Sequence, residues 1–388
     1  MLQSSSRHSL AFRALVSAFL LASVTSAVLA QAPSFELLSA DAGAIRADVI
    51  TDGLEHPWGL AELPDGRLLI TERPGRLRLV TPADSSAGVL VSGTPKVWAR
   101  GQGGLLDVAL SPDFATDRLV YLTYAEAGDG GTAGTALGRG TLSEDAGALS
   151  DFEVLWRMTP KVEGPNHFGS RVIFVGDSLM FVSTGERFKF DPAQDPDTEL
   201  GTVVRLLRDG SVPADNPVLG EADAAPGVYS YGHRNIQAMA LDPATGAVWV
   251  AEFGPLGGDE LNRLEPGANY GWPLVSWGRD YDGTDRPDPP TRPEFADAAI
   301  QWTPTISPSG MCFYDGNMFE AFRGDAFIGG LTAMGLVRVR TVSPGVAEEV
   351  ERLPLEARTR DVEVSADGSL LVLTDEDDGK LIRLSRLE

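Results

Sequence analysis

An arginine, a carbonyl-bearing turn and adjacent carboxylates lie close together in one stretch of this chain. It reads Tyr231-Gly-His-Arg-Asn235, then Glu252-Phe-Gly-Pro255 and Gly257-Gly-Asp-Glu260, then Asn269-Tyr-Gly-Trp-Pro273. Arg234 can hold an anion, the Gly254-Pro255 turn can present carbonyl oxygens, and Asp259 and Glu260 add hard oxygen ligands. Such groups suit a metal ion seated beside an anionic ligand. With no cysteine cluster and no histidine pair for zinc, the donor chemistry points to calcium. The spacing is not that of an EF-hand, so the site would be irregular.

That stretch lacks a base. The chain has 4 histidines, and one of them, His167, stands in Asn166-His-Phe-Gly-Ser-Arg171, just before a strand-like run. A histidine there can act as a general base; on spacing alone it can equally well satisfy loop backbone. Glu186, in Thr184-Gly-Glu186, follows the next hairpin and returns to the end bearing His167. A carboxylate accepting one imidazole N–H fixes the tautomer and supports proton uptake at the other nitrogen; a solvated turn residue is the alternative. Gly101-Gln-Gly-Gly-Leu105 leads into a strand but lacks the lysine and helix of a phosphate loop. Gln102 there either brings an amide to a ligand or shapes a turn. Arg358-Thr-Arg360 predicts two guanidiniums on one side of an extended segment, suited to carboxylates or to pairing within an acidic protein.

The elements that must position these residues read as β throughout. Apolar runs are short and cut by turn residues, with 43 glycines and 26 prolines. A strand, a turn and a second strand recur at residues 58–72, 106–124, 171–184, 237–252 and 361–375, with a further unit at 310–330. Each is a hairpin with turn chemistry in a fixed place. A spacing of roughly 50–65 residues is that of four-stranded repeats around an axis. The expected fold is therefore all-β, a six-bladed β-propeller of four-stranded antiparallel blades spanning residues 31–388. The run Leu381-Ile-Arg-Leu384 and the run at 45–50 are expected to share the closing blade. Function is then expected on the loops entering the innermost strands, where Gln102, His167, Arg234, Asn235 and Arg360 stand.

Residues 1–30 read as a secretory signal peptide, with Arg7 and Arg13 before an apolar stretch and Val28-Leu-Ala30 as the cleavage site. This predicts a periplasmic or secreted protein without stable membrane insertion. The formal net charge of −23 disfavours nucleic acid and anionic lipid as partners. The single cysteine, Cys312, excludes an intrachain disulfide and reads as a small buried hydrophobe.

Together the motifs resemble the soluble aldose sugar dehydrogenases that use pyrroloquinoline quinone, relatives of soluble quinoprotein glucose dehydrogenase. The resemblance runs from His56-Pro-Trp-Gly59 to the C-terminus and includes Gly101-Gln-Gly-Gly-Leu105, His167-Phe-Gly-Ser-Arg171, Pro308-Ser-Gly-Met311 and the stretch described first. It implies a six-bladed propeller. It implies His167 as the catalytic base, with Glu186 where the glucose dehydrogenase branch has aspartate, and Arg234 polarising the quinone. It implies cofactor contacts from Gln102, Arg234, Asn235, Tyr281 and the Arg358, Thr359 and Arg360 segment. Thr332 falls where relatives place a cofactor-contacting lysine, a departure that removes one positive charge. Calcium is implied at Gly254 and Pro255, and at Glu260 and the carbonyl of Tyr270. The implied reaction is oxidation of an aldose to its lactone, with electrons passed on to an acceptor that the sequence does not identify. A calcium-dependent propeller lactonase and a non-catalytic sugar- or protein-binding propeller are the competing expectations.

Overall fold

The computed structural model describes residues 33–387 apart from 83, 85 and 221–224. The expected signal peptide at 1–30 lies outside the described residues. Among the described residues no helix is long and apolar enough to cross a membrane.

Six antiparallel sheets follow one another around an axis, as the repeats predict. The innermost strands are Pro57–Glu62, Leu105–Leu110, Val172–Val175, Ile236–Leu241, Pro308–Phe313 and Thr359–Val364, opening blades 1 to 6 in order. They are mainly apolar because both faces are covered by neighbouring blades. Outer strands alternate instead; Arg76–Val80 buries Leu77 and Leu79 and turns its arginines outward.

The hairpins form where turn residues demand them. In blade 1, Gly66 has φ +82°, and the Leu63 N–H is bonded to the Arg67 carbonyl at 2.7 Å. The core is divided into wedges between blades: Leu69 and Leu77 meet Leu105 and Leu122, and Trp249 and Leu261 meet Phe313 and Ile328. Blade 6 closes the ring as expected. Gly43–Leu54 pairs with Gly379–Arg386, setting Ala47 opposite Leu384 and Val49 opposite Ile382. Ser34–Ser39 adds a fifth strand outside it.

Charge as well as apolar packing holds the axis. Arg171, in the lead-in to blade 3, pairs with Asp107 of blade 2 and Asp361 of blade 6, both at 2.9 Å. Its Nε donates to the Gln237 carbonyl of blade 4 at 2.8 Å, and its guanidinium lies 4.3 Å from the Trp58 ring of blade 1. One buried cation thus ties five blades. Removing it would leave two buried carboxylates without their counter-ion, a loss on the order of 3–5 kcal/mol.

Candidate functional site

Each blade's second strand returns the chain to the end where the innermost strands begin. Carboxylates stationed there meet the segments leading into the innermost strands. Glu72 takes the Glu55 N–H at 2.7 Å, Glu252 takes the Arg234 N–H at 2.6 Å, and Glu186 takes the His167 ring at 2.6 Å.

The His167 pair needs two backbones in close contact. A Cβ on Gly185 would lie 2.4 Å from the His167 carbonyl oxygen, which accounts for glycine in Thr-Gly-Glu. His167 itself has φ +55°, and its N–H donates to Gln102 Oε1 at 2.7 Å. Asn235 Oδ1 accepts the Gly169 N–H at 3.0 Å. Gln102 and Asn235 therefore hold the histidine loop in place, whatever else they contact.

Since an ionised Glu186 can only accept, His167 donates from Nδ1 and keeps its lone pair on Nε2. Among the described residues nothing bonds Nε2. Burial, and then the nearby Arg234 charge, holds the imidazole below its ordinary value against the upward pull of Glu186. The result is an imidazole with one nitrogen oriented and the other available to accept a proton.

Arg234 lies beside it, only 3% exposed. Its guanidinium donates to the Phe253 carbonyl at 3.2 Å and to the Tyr281 hydroxyl at 3.1 Å. It sits 5.1 Å from the Trp272 ring and 5.7 Å from that of Tyr281. Its Nε is buried without a hydrogen-bond partner, and among the described residues the guanidinium bonds no carboxylate. In a chain with 55 acidic residues, a buried guanidinium that forms no ion pair with any described residue suits an anionic ligand.

Tyr281 reaches the site on a long excursion between the last two strands of blade 4. The excursion is fastened by Arg286, which binds Asp280 through two bonds of 2.8 Å and stacks on Trp272 at 4.8 Å. It also pairs with the metal-candidate turn, since the Leu256 N–H meets the Arg279 carbonyl at 2.9 Å.

The expected metal ligands converge partly. Arg234, Glu252, Gly254, Glu260, Tyr270 and Trp272 line one narrow recess. Asn262 Nδ2 reaches Glu252 at 3.3 Å and Glu260 at 3.2 Å. Burial, and then the Glu252 charge, pushes Glu260 well above the usual carboxylate range. Asp259, read from sequence as an oxygen ligand, is otherwise engaged: its oxygens take the N–H groups of Gly254 at 2.8 Å and Ser307 at 2.6 Å. Burial pushes it up to about 6. Among the described residues no three His, Cys, Asp or Glu side chains converge on a metal position.

The remaining candidates stand on blades 5 and 6. Arg360 is buried and bonded to Asp375 and, at 2.7 Å, to Gln237 Oε1, whereas Arg358 is exposed. Thr359 is buried, and its hydroxyl bonds the Ala357 carbonyl at 3.3 Å. The Thr332 hydroxyl bonds the Thr305 carbonyl at 2.9 Å. Among the described residues no hydrogen bond or ion pair joins these four residues to His167 or Arg234.

Sequence reasoning missed Phe188 and Phe190, and gave no role to Trp272. Phe188 lies edge-on to His167 at 5.2 Å and 6.2 Å from Tyr281, while Phe190 lies 5.7 Å from Trp272. Two phenylalanines in a charged, glycine-free turn were the available signal.

A model of the glucose/sorbosone dehydrogenase family matches residues 54–383. The aldose sugar dehydrogenase of Escherichia coli strain K12 is 42% identical over 347 residues, covering 88% of this chain and 93% of that protein. The crystal structure of the Escherichia coli aldose sugar dehydrogenase in its apo form superposes with a TM-score of 0.83 at 41% identity, covering 88% of this chain and 100% of that one. The pyrroloquinoline-quinone-bound form of aldose sugar dehydrogenase from Streptomyces coelicolor superposes with a TM-score of 0.72 at 29% identity, covering 88% and 98%.

Proposed function

This chain belongs to the glucose/sorbosone dehydrogenase family, and on that premise we propose that it oxidises aldose sugars at the anomeric carbon to lactones, using pyrroloquinoline quinone and calcium. The observation that carries the reading is Arg234, a buried guanidinium with an orphaned Nε beside a neutral histidine. The quinone bears carboxylates and a flat ring system, which suit that cation and the aromatic faces of Trp272 and Tyr281. Calcium suits the recess on two grounds. Glu252 and Glu260 crowd two carboxylates together, and no described residue bonds the carbonyls of Gly254, Pro255 or Tyr270.

In this reading Gln102, Arg234, Asn235, Tyr281, Thr332, Arg358, Thr359 and Arg360 hold the quinone. Gly254, Pro255, Glu260 and Tyr270 hold calcium. When bound, the calcium-polarised quinone supplies the two-electron acceptor for the hydride leaving the anomeric carbon. His167 Nε2 takes the proton of the anomeric hydroxyl. Glu186 keeps Nδ1–H in place and balances the imidazolium charge that results. Arg234 sets positive charge where negative charge develops. The enzyme would work in the periplasm or outside the cell and pass its electrons to an external acceptor.

The test is to add calcium and pyrroloquinoline quinone to the apoprotein and follow dye reduction with several aldoses. We expect a visible-spectrum change on adding the quinone, and sugar-dependent dye reduction. Absence of both overturns the reading. Lactone hydrolysis without quinone would favour the lactonase alternative, although a lactone has no need of the anion site at Arg234.

A further inference from the structure

The turn after Glu186 is built around its carboxylate. Glu186 Oε2 takes the N–H groups of Lys189 and, at 2.8 Å, Phe190. Arg187 is buried beneath, donating to the carbonyls of Asn166 and, at 2.6 Å, Gly164, and stacked 3.6 Å from the Phe168 ring. To wrap so tightly, Arg187, Phe188 and Phe190 take φ of +60°, +59° and +65°. Such conformations cost roughly 1 kcal/mol or more each in residues that carry a Cβ. Glycine or asparagine would make the turn more cheaply.

Instead, the turn holds a phenylalanine out at the mouth. Phe188 is 38% exposed, its ring edge-on to the His167 ring and tilted 32° to that of Tyr281. Apolar surface kept in water by a strained turn, beside the His167 ring, calls for a ligand with an apolar face. A pyranose has one, formed by its axial C–H bonds.

We propose that Phe188 is a specificity-determining residue whose ring packs against the C–H face of the aldose while the anomeric hydroxyl meets His167 Nε2. The inference rests on the sugar-oxidising reading above. Stacking of this kind is worth about 0.5–1.5 kcal/mol. Phe188→Ala should therefore raise KM for aldoses about twofold to thirteenfold. It should leave kcat and the quinone titration of the apoprotein unchanged, and Phe188→Tyr should restore KM. An unchanged KM, or a weakened quinone titration, overturns the proposal. Dye reduction by the wild type checks the sugar-oxidising reading separately. Should the wild type not turn over, the Phe188→Trp apoprotein is titrated with glucose. A sugar-dependent change in emission beyond that of the wild type supports the contact, and none overturns it.

Discussion

Blades 3 and 4 carry the same device with opposite outcomes. In each, a histidine precedes the innermost strand and donates Nδ1–H to a carboxylate stationed at the end of the next strand: His167 to Glu186 at 2.6 Å, His233 to Glu252 at 2.7 Å. The difference lies at the second nitrogen. His233 Nε2 accepts the Ser230 hydroxyl at 2.9 Å, and its ring is stacked on Tyr270 at 4.4 Å. His167 Nε2 has no such partner among the described residues, and the His167 ring meets Phe188 edge-on rather than stacked. A histidine–carboxylate pair is thus a way of fixing an imidazole. Whether it becomes a base depends on what reaches the other nitrogen.

Exchanging the two histidines for alanine should divide their roles most sharply. His167→Ala is expected to lower turnover by roughly 10²–10⁴-fold, beyond any loss of stability that it shares with His233→Ala. His233→Ala should instead lose about 2–4 kcal/mol of stability, because it opens a cavity and strips a buried carboxylate of its partner. Thermal melts and turnover on the same preparations decide this, and the reverse pattern breaks the comparison.

A smaller effect tests the carboxylate. The folded imidazole of His167 is held below its ordinary 6.5, so in the proposed role it is neutral above that value and activity is expected to fall only at lower pH. Glu186 pulls this titration upward. Glu186→Gln should therefore move the acid limb of the pH–rate profile lower still and reduce turnover roughly 10- to 100-fold. A wild-type midpoint at or above 6.5, or an upward shift in the variant, contradicts the assignment. The smallest effect is expected at Ser230. Ser230→Ala removes the hydroxyl that occupies His233 Nε2 and should cost about 1–2 kcal/mol of stability with turnover unchanged.

The fold was legible because the Asp-Gly and related turns recur at matching places in successive units, and the closing blade because both chain ends carry apolar runs of strand length. His167 and Glu186 were legible as a pair because a single hairpin separates them. Other relations join positions that no spacing rule connects. Asp259 reads as a ligand until the backbone N–H groups of Gly254 and Ser307 are seen to occupy it. Arg358 and Arg360 read as equivalent, but Asp375, brought in by a later loop, neutralises only one. The outward setting of Phe188 follows from positive φ values that its composition gives no reason to expect.

The closing blade bears on how the molecule comes to exist at all. Its sheet joins Gly43–Leu54, among the first described residues to be synthesised, to Gly379–Arg386, among the last. Until that final strand arrives, the edges of both end blades are open, and Ile45 and Ala47 have no partners across the seam. Pairing over so long a sequence separation is slow to nucleate. The nascent chain must therefore remain unclosed, with sticky edges, for the whole of its synthesis, and truncation after residue 378 should yield aggregation rather than a smaller ring.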